Sequence, residues 1–409
     1  MDIRDLKALP KAIWLAVLVA ALGYFVDIYD LLLFSIVRMG SLRGLGIPED
    51  QLLSKGVLLI NVQMAGLLVG GIIWGIVGDK KGRLSVLFGS IILYSTANIA
   101  NAFVQNVEQY AALRFIAGIG LAGELGAGIT LVTEILPQRL RGYGTALVAS
   151  VGLLGAVFGG IVGDLFHWRT AYVIGGVLGF LILLLRFGVS ESGMFNRTKD
   201  VGVHRGKISL LFQRHTIVKY FAVILIGVPI WYVIGILATF SPELGKSFEM
   251  IDLPTAGKAV MFCYIGLSIG DLTSGLMSQW LASRRKVIFI YMIGMIITVA
   301  LYIMYARHSI EMYYSFCIAL GFFAGYWAMF VTVAAEQFGT NIRSTVATTV
   351  PNFVRGSVIP LTMGFQYLVH AQNATYSAIV VGSVSMGIAL IALRFLPETF
   401  YKELDYNEP

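Results

Sequence analysis

The sequence predicts an all-α membrane protein: twelve transmembrane helices in two pseudo-symmetric six-helix bundles, with both termini in the cytoplasm. Three observations carry this. Hydrophobic residues make up 57% of the 409 and charged residues 13%, too few charges to coat a water-soluble surface. Apolar runs of about twenty residues recur along the chain, each long enough to cross a hydrocarbon core of roughly 30 Å as a helix. Two loop segments also repeat at nearly one offset, the mark of an internal duplication.

The expected spans are 12–37, 56–77, 84–104, 108–131, 144–164, 169–188, 217–240, 257–281, 287–306, 310–335, 345–369 and 373–396. The first follows Arg4, Lys7 and Lys11, as a signal peptide would. It is long, holds Asp27 and Asp30, and lacks a small-residue cleavage site, so it reads as a retained helix. The longest stretch without an apolar run divides the chain into an N-terminal bundle (1–188), a cytoplasmic central loop (189–216) and a C-terminal bundle (217–409) with a short cytoplasmic tail.

Orientation follows from Lys and Arg. With the termini inside, twenty fall in inside segments, Arg186 among them, and seven in outside segments, Arg38 among them. That is a positive-inside bias. The net charge of +7 then reflects topology and anionic lipid rather than nucleic acid.

The duplication is read from loops. Thr133-Glu134-Ile135-Leu136-Pro137-Gln138-Arg139-Leu140-Arg141-Gly142 and Ala335-Glu336-Gln337-Phe338-Gly339-Thr340-Asn341-Ile342-Arg343-Ser344 each place a glutamate seven residues before an arginine, 202 residues apart. Gly75 to Arg83 has a weaker echo in Gly275 to Lys286, offset by 200. Cys263 and Cys317 form no CxxC pair and read as packing residues, so no metal or cofactor is expected. The five histidines form no HExxH and no GxSxG is present, which argues against an enzyme. Gly118-Ile119-Gly120-Leu121-Ala122-Gly123 fits GxGxxG but sits in a span, without a βαβ context, as a packing run.

At these loops the chain resembles the major facilitator superfamily, over essentially its whole length. Gly75-x-x-Gly78-Asp79-Lys80-Lys81-Gly82-Arg83 is similar to the family's G-x-x-x-D-R-x-G-R, with Lys80 for its first arginine. Arg114-x-x-x-Gly118-x-Gly120 resembles the fourth-span motif R-x-x-x-G-x-G. Glu134-x-x-Pro137-x-x-x-Arg141-Gly142, Glu191-Ser192 and Pro397-Glu398-Thr399 resemble the branch of sugar porters and organic-acid symporters. The seventh span lacks the paired glutamines and asparagine of hexose carriers. Gly155-Ala156-Val157-Phe158-Gly159-Gly160 resembles the antiporter motif without its proline, which leans away from drug efflux. Asp27-Ile28-Tyr29-Asp30-Leu31-Leu32 is similar to first-span segments of proton-coupled aromatic-acid and metabolite symporters.

The resemblance implies a monomeric secondary transporter in a bacterial inner membrane, its partners a small carboxylate-bearing solute and the bilayer, driven by proton symport through alternating access, with a proton-coupled exporter or antiporter, or a facilitative uniporter, as the alternative. It also implies an inner gate built from Gly78, Asp79, Arg83, Glu134, Arg141, Glu336 and Arg343.

Charges inside spans cost several kcal/mol unless paired or wet, so each is a functional candidate whatever the family. Asp27 and Asp30 share a helix face, about 22 and 27 Å from the inner end of span one at the rise of an α-helix. Arg114 lies about 9 Å inside the outer end of span four, at a depth similar to Asp30. A carboxylate that alternates between a proton and an arginine can couple protons to conformation. The expectation is that Asp30 carries the proton, Arg114 partners it and Asp27 supports; a fixed ion pair is the alternative. Arg355, after Asn352, suits an anionic solute, or pairs with Glu124 or Asp271. Glu124 reads equally as a cavity acid or a packing acid. Asp271 aligns with Gly71 of the first half. Trp231, Tyr232, Tyr264, Tyr326 and Trp327 complete the solute-cavity candidates, with helix packing as the alternative for each.

Overall fold

The computed structural model describes residues 10–136, 141–187, 213–338 and 340–401, and these are almost wholly helical. Six spans precede the central segment: α1 (Lys11–Gly44), α2 (Leu52–Lys81), α3 (Arg83–Asn101), the pair α4 (Val107–Leu121) and α5 (Glu124–Ile135), α6 (Arg141–Leu165) and α7 (Trp168–Arg186). After it come α8 (Arg214–Tyr232), short α9 (Ser241–Ser247), α10 (Ala256–Trp280), α11 (Arg284–Tyr305), the pair α12 (Ile310–Ala324) and α13 (Trp327–Glu336), the pair α14 (Thr340–Gly356) and α15 (Val358–Ala371), and α16 (Ala374–Arg394). The expected central loop lies almost entirely outside the described residues.

Eleven helical stretches among the described residues are long and apolar enough to cross a membrane. The remaining expected span, 345–369, is helix too, but broken between α14 and α15. Its α14 part is rich in Thr, Asn and Arg because it faces the molecule's interior rather than lipid: Asn352 and Arg355 are buried. Large apolar side chains such as Leu184, Leu276, Trp280 and Phe395 stand on the outer surface instead. A surface that apolar needs lipid around it.

Spans four and ten were expected to be continuous and are not. Span four breaks at Ala122–Gly123 and span ten at Gly325–Tyr326, so Gly123 and Gly325 mark breaks 202 residues apart. Span seven passes from α8 into a π-helical turn, Val233–Ala238, before α9. The helix crossings repeat as well. A Cβ at Gly66 or Gly70 of α2 would strike the carbonyls of Phe115 or Ile119 in α4. Gly266 and Gly270 of α10, offset by 200, meet the carbonyls of Ile318 and Phe322 in α12 in the same way. Close backbone approach through small residues is how helices pack tightly in oil.

The two halves touch through the middle of their spans and at one end of the molecule. A Cβ at Gly160, near the end of α6, would lie 2.9 Å from the Gly257 carbonyl at the start of α10. At the opposite end Glu398, past α16, binds the start of α11. Since α1 is about 50 Å long at the rise of an α-helix and ends beside α6, Lys11 lies at the Glu398 end too. Both described chain ends therefore share one side.

Candidate functional site

Helix α1 positions most of the site. Gly23, Asp27 and Asp30 follow one another at helical spacing along one face, with Arg38 two turns on. Asp27 is fully buried, and its Oδ2 lies 3.7 Å from Nη2 of Arg355 on α14, an ion pair between the two halves. The contact is too long for a hydrogen bond. Both Asp27 oxygens and the Nε and Nη1 of Arg355 lack hydrogen-bond partners among the described residues. Aromatic rings wall the pair. The Arg355 guanidinium stands 5.9 Å from the Trp327 ring centre, and Trp327 meets Trp231 edge-on at 6.5 Å. Tyr24, which sequence reasoning missed, packs its ring where a Cβ at Gly152 of α6 would lie, within the field of Arg355 and Asp27, and Tyr264 lies within the field of Arg355. Tyr24 lies three residues before Asp27 and so on its face, a spacing that was legible.

Asp30 lies one turn further along α1, where a Cβ at Gly175 of α7 would collide with its carboxylate. Arg114 is the strongest charge acting on it, but no hydrogen bond joins them. Arg114 stands beside Asp30 without an ion-pair contact and lies over Phe34 and Tyr172, at 5.7 and 5.6 Å. Within the described residues the acid of α1 with an ion-pair partner is Asp27.

Several candidates move away from the solute. Glu124 pairs with neither Arg355 nor the cavity; it forms a buried ion pair with Arg186. Arg186, counted above as a loop charge, is the buried last residue of α7 and also donates to the Leu87 carbonyl at 2.5 Å. Asp271 accepts from the Ala328 N–H at 2.9 Å, capping α13 where span ten breaks. Tyr232 and Tyr326 donate to the carbonyls of Ala378 and Ile226 and serve helix packing. Asn352 donates across the halves to the Ala122 carbonyl, at the break in span four.

Arg38 is a second correction, since it is fully buried rather than an outside loop charge. From α1 it reaches Glu243 of α9 at 2.7 Å, the Thr239 carbonyl at 3.3 Å and the face of Phe240 at 4.6 Å. Moving Arg38 and Arg186 inside leaves the positive-inside bias intact. Thr362 and Asn61 also tie the halves together, at 2.6 Å.

At the other end the expected gate is partly described. The Gly78 carbonyl accepts from the Gly82 N–H at 3.2 Å and closes α2. The side chains of Asp79, Arg83, Glu134, Arg141 and Arg343 lie outside the described residues. Glu336 binds Arg284 at 3.4 Å and accepts from the Thr399 hydroxyl at 2.6 Å. Glu398 accepts from the Ser283 hydroxyl and from the N–H groups of Arg284, at 2.9 Å, and Arg285, at 3.2 Å. Burial would raise the Glu398 carboxyl, but hydrogen bonds from Ser283, Arg284, Phe400 and Thr399 outweigh it and hold it below the ordinary glutamate value. A depressed carboxyl stabilises the fold above its unfolded value and stops doing so as pH falls through its folded one. The thermal midpoint of Glu398→Gln should thus fall below that of the parent at neutral pH. That gap should close as both are acidified past the ordinary 4.5 of a glutamate. A gap that persists in acid would mean that the side chain acts by packing.

The family model of the Major Facilitator Superfamily matches residues 13–363. The chain belongs to this superfamily. Its relatives and solved neighbours are transporters. A Haemophilus influenzae protein assigned to metabolite transport is 27% identical over 424 residues, covering 96% of this chain and 98% of the relative. A cis,cis-muconate transport protein of Acinetobacter baylyi is 25% identical over 417 residues, covering 96% and 95%. The crystal structure of a D-xylose-proton symporter superposes with a TM-score of 0.74 at 16% identity, over 96% of this chain and 99% of that one. This superfamily member is accordingly an integral, multi-pass membrane transporter of small molecules with the fold of its class.

Proposed function

We propose that the protein imports a carboxylate-bearing organic solute together with protons, by rocking its two six-helix bundles around Asp27 and Arg355. The observation that carries this is the long ion pair between the halves. Two charges removed from water cost several kcal/mol each, and a single contact at 3.7 Å with no hydrogen bond compensates poorly. A solute carboxylate docking on the guanidinium fork would make two charge-assisted hydrogen bonds instead. Asp27 must then be neutralised, so solute and proton bind together. Asp30, one turn along and beside Arg114, is the loading site for that proton. Trp231, Trp327, Tyr24 and Tyr264 supply the apolar walls for the rest of the solute.

The relative that carries cis,cis-muconate, a dicarboxylate, supports the solute class, and the neighbour that couples D-xylose to protons supports the driving force. The bacterial relatives support an inner-membrane location. The test is a thermal-shift titration of the purified protein with benzoate, cis,cis-muconate and D-xylose, with uptake into proteoliposomes under an acid-outside gradient. Stabilisation should rise with carboxylate concentration, and more steeply at lower pH while the solute stays ionised. Stabilisation by D-xylose alone, or uptake indifferent to the gradient, sinks the reading.

A further inference from the structure

Both span breaks are held by a polar side chain, but only one of them from within its own half. Positions 71 and 271 correspond at the offset of 200 that relates α2 to α10. In the C-terminal half Asp271 accepts from the Ala328 N–H, at the break in span ten. That contact stays inside one bundle. In the N-terminal half the equivalent residue is Gly71, which has no side chain to send. Asn352 of α14, from the other bundle, takes its place: a Cβ at Gly71 would lie 3.0 Å from the Asn352 Nδ2. From there the amide donates to the Ala122 carbonyl at 3.1 Å and to the Thr348 carbonyl of its own helix at 3.2 Å. Ala122 is the cap residue of α4, and the last carbonyls of a helix lack donors from within it.

Glycines seat this contact on both sides. A Cβ at Gly126 of α5 would meet the Thr348 side chain at 3.1 Å, one turn before Asn352. One at Gly356, a turn after Asn352, would meet Leu68 of α2 at 2.6 Å. Helix α14 thus crosses α2 and the span-four break with Asn352 buried at the crossing. Arg355 follows three residues later, so the hold on the break and the cation of the solute site ride on one helix. Helix α14 starts just after α13, whose last residue, Glu336, lies at the Glu398 end, so Asn352 stands on that side of Arg355. Beyond the break Glu124 opens α5 and pairs with Arg186, seated against Gly23 of α1, four residues before Asp27.

We propose that Asn352 is a positioning residue of the transport cycle, which holds the span-four break and keeps the Arg355 site closed toward the Glu398 side. When the bundles part on that side, α14 withdraws the amide, the Ala122 carbonyl loses this donor, and span four is free to bend at its break. The span-ten break keeps Asp271 throughout, because both partners belong to one bundle. The two halves, though alike in their breaks, therefore do not bend alike. This rests on the alternating-access reading above and removes Asn352 from the residues that contact solute.

The test needs no solute, so its failure is distinct from a failure of that reading. Thr348 is half-buried against Gly126, and Thr348→Cys reports the Glu398 side of the seam. Ile36→Cys, packed against Gly257, reports the opposite side. The native Cys263 and Cys317 are buried. In the purified, solute-free protein, Asn352→Ala should raise the maleimide labelling rate of Thr348→Cys about fivefold, the population shift that loss of one hydrogen bond gives. The Ile36→Cys rate should not rise, whereas a general loosening would raise both. If Asn352→Ala fails to fold, Gly71→Ala decides in its place, since its methyl displaces the amide while Asn352 remains. Gly75→Ala, one turn on with nothing within 4 Å, should leave the rate at the parental value. An unchanged Thr348→Cys rate, or an equal rise at Ile36→Cys, overturns the proposal.

Discussion

Changing Arg355 to glutamine should destabilise the protein by up to about 3–5 kcal/mol where Asp27 keeps its charge without a cation, and by less as the pH falls and Asp27 takes up a proton. The expected readout is a lowered thermal midpoint of the purified protein. Adding Asp27→Asn removes the stranded charge, and the double variant should recover most of the lost stability. Transport should not recover with it, since no guanidinium is left to hold a carboxylate. This separation of folding from function distinguishes a solute site from a structural pair. If the stable double variant takes up benzoate or cis,cis-muconate like the parent, Arg355 is not the anion site. Arg355→Lys should fold well and still bind the solute more weakly, because a point charge cannot form the two-pronged contact.

Breaking the Arg38 contact should open the opposite side. Its guanidinium holds three features of the other half: the Glu243 carboxylate, the Thr239 carbonyl and the Phe240 ring. These lie where span seven passes from its π-helical turn into α9. The surface pairs nearby, Lys258 with Asp164 at 3.5 Å and Lys246 with Glu49 at 4.0 Å, are half exposed and contribute little by comparison. Glu243→Gln keeps the shape and loses the charge. Each loss of about 1.4 kcal/mol from the closed state raises the open population tenfold. A cysteine at Ile36, which packs 3.2 Å from where a Gly257 side chain would begin, reports that opening. Its labelling by a membrane-impermeant maleimide should accelerate about tenfold in Glu243→Gln. An unchanged rate would show that this contact does not hold the side closed.

The spans were legible because a membrane imposes one length and one composition on every crossing, and every expected run is helical, although α1 continues to Gly44 and short α9 lies outside any expected run. What blurred was continuity. The breaks beside Gly123 and Gly325 fall within apolar runs that read as continuous, and a capping group from another helix, Asp271, holds the second of them. The buried acids were also legible, since a charge in an apolar run stands out in any sequence. Arg38 and Arg186 were not, because each lies near a helix end where a burying and a solvated arginine look alike.

Sequence alone therefore determined the class of machine, a many-helix membrane transporter, and marked the handful of charges that lie within its spans. It could not pair those charges. Asp27 with Arg355, Glu124 with Arg186 and Arg38 with Glu243 join residues 62 to more than 300 positions apart. Hydropathy and spacing describe one helix at a time, whereas the choice of partner depends on how helices rotate and cross. Glycines such as Gly23 and Gly175, which make room for one carboxylate and not another, decide that only once the bundle is assembled.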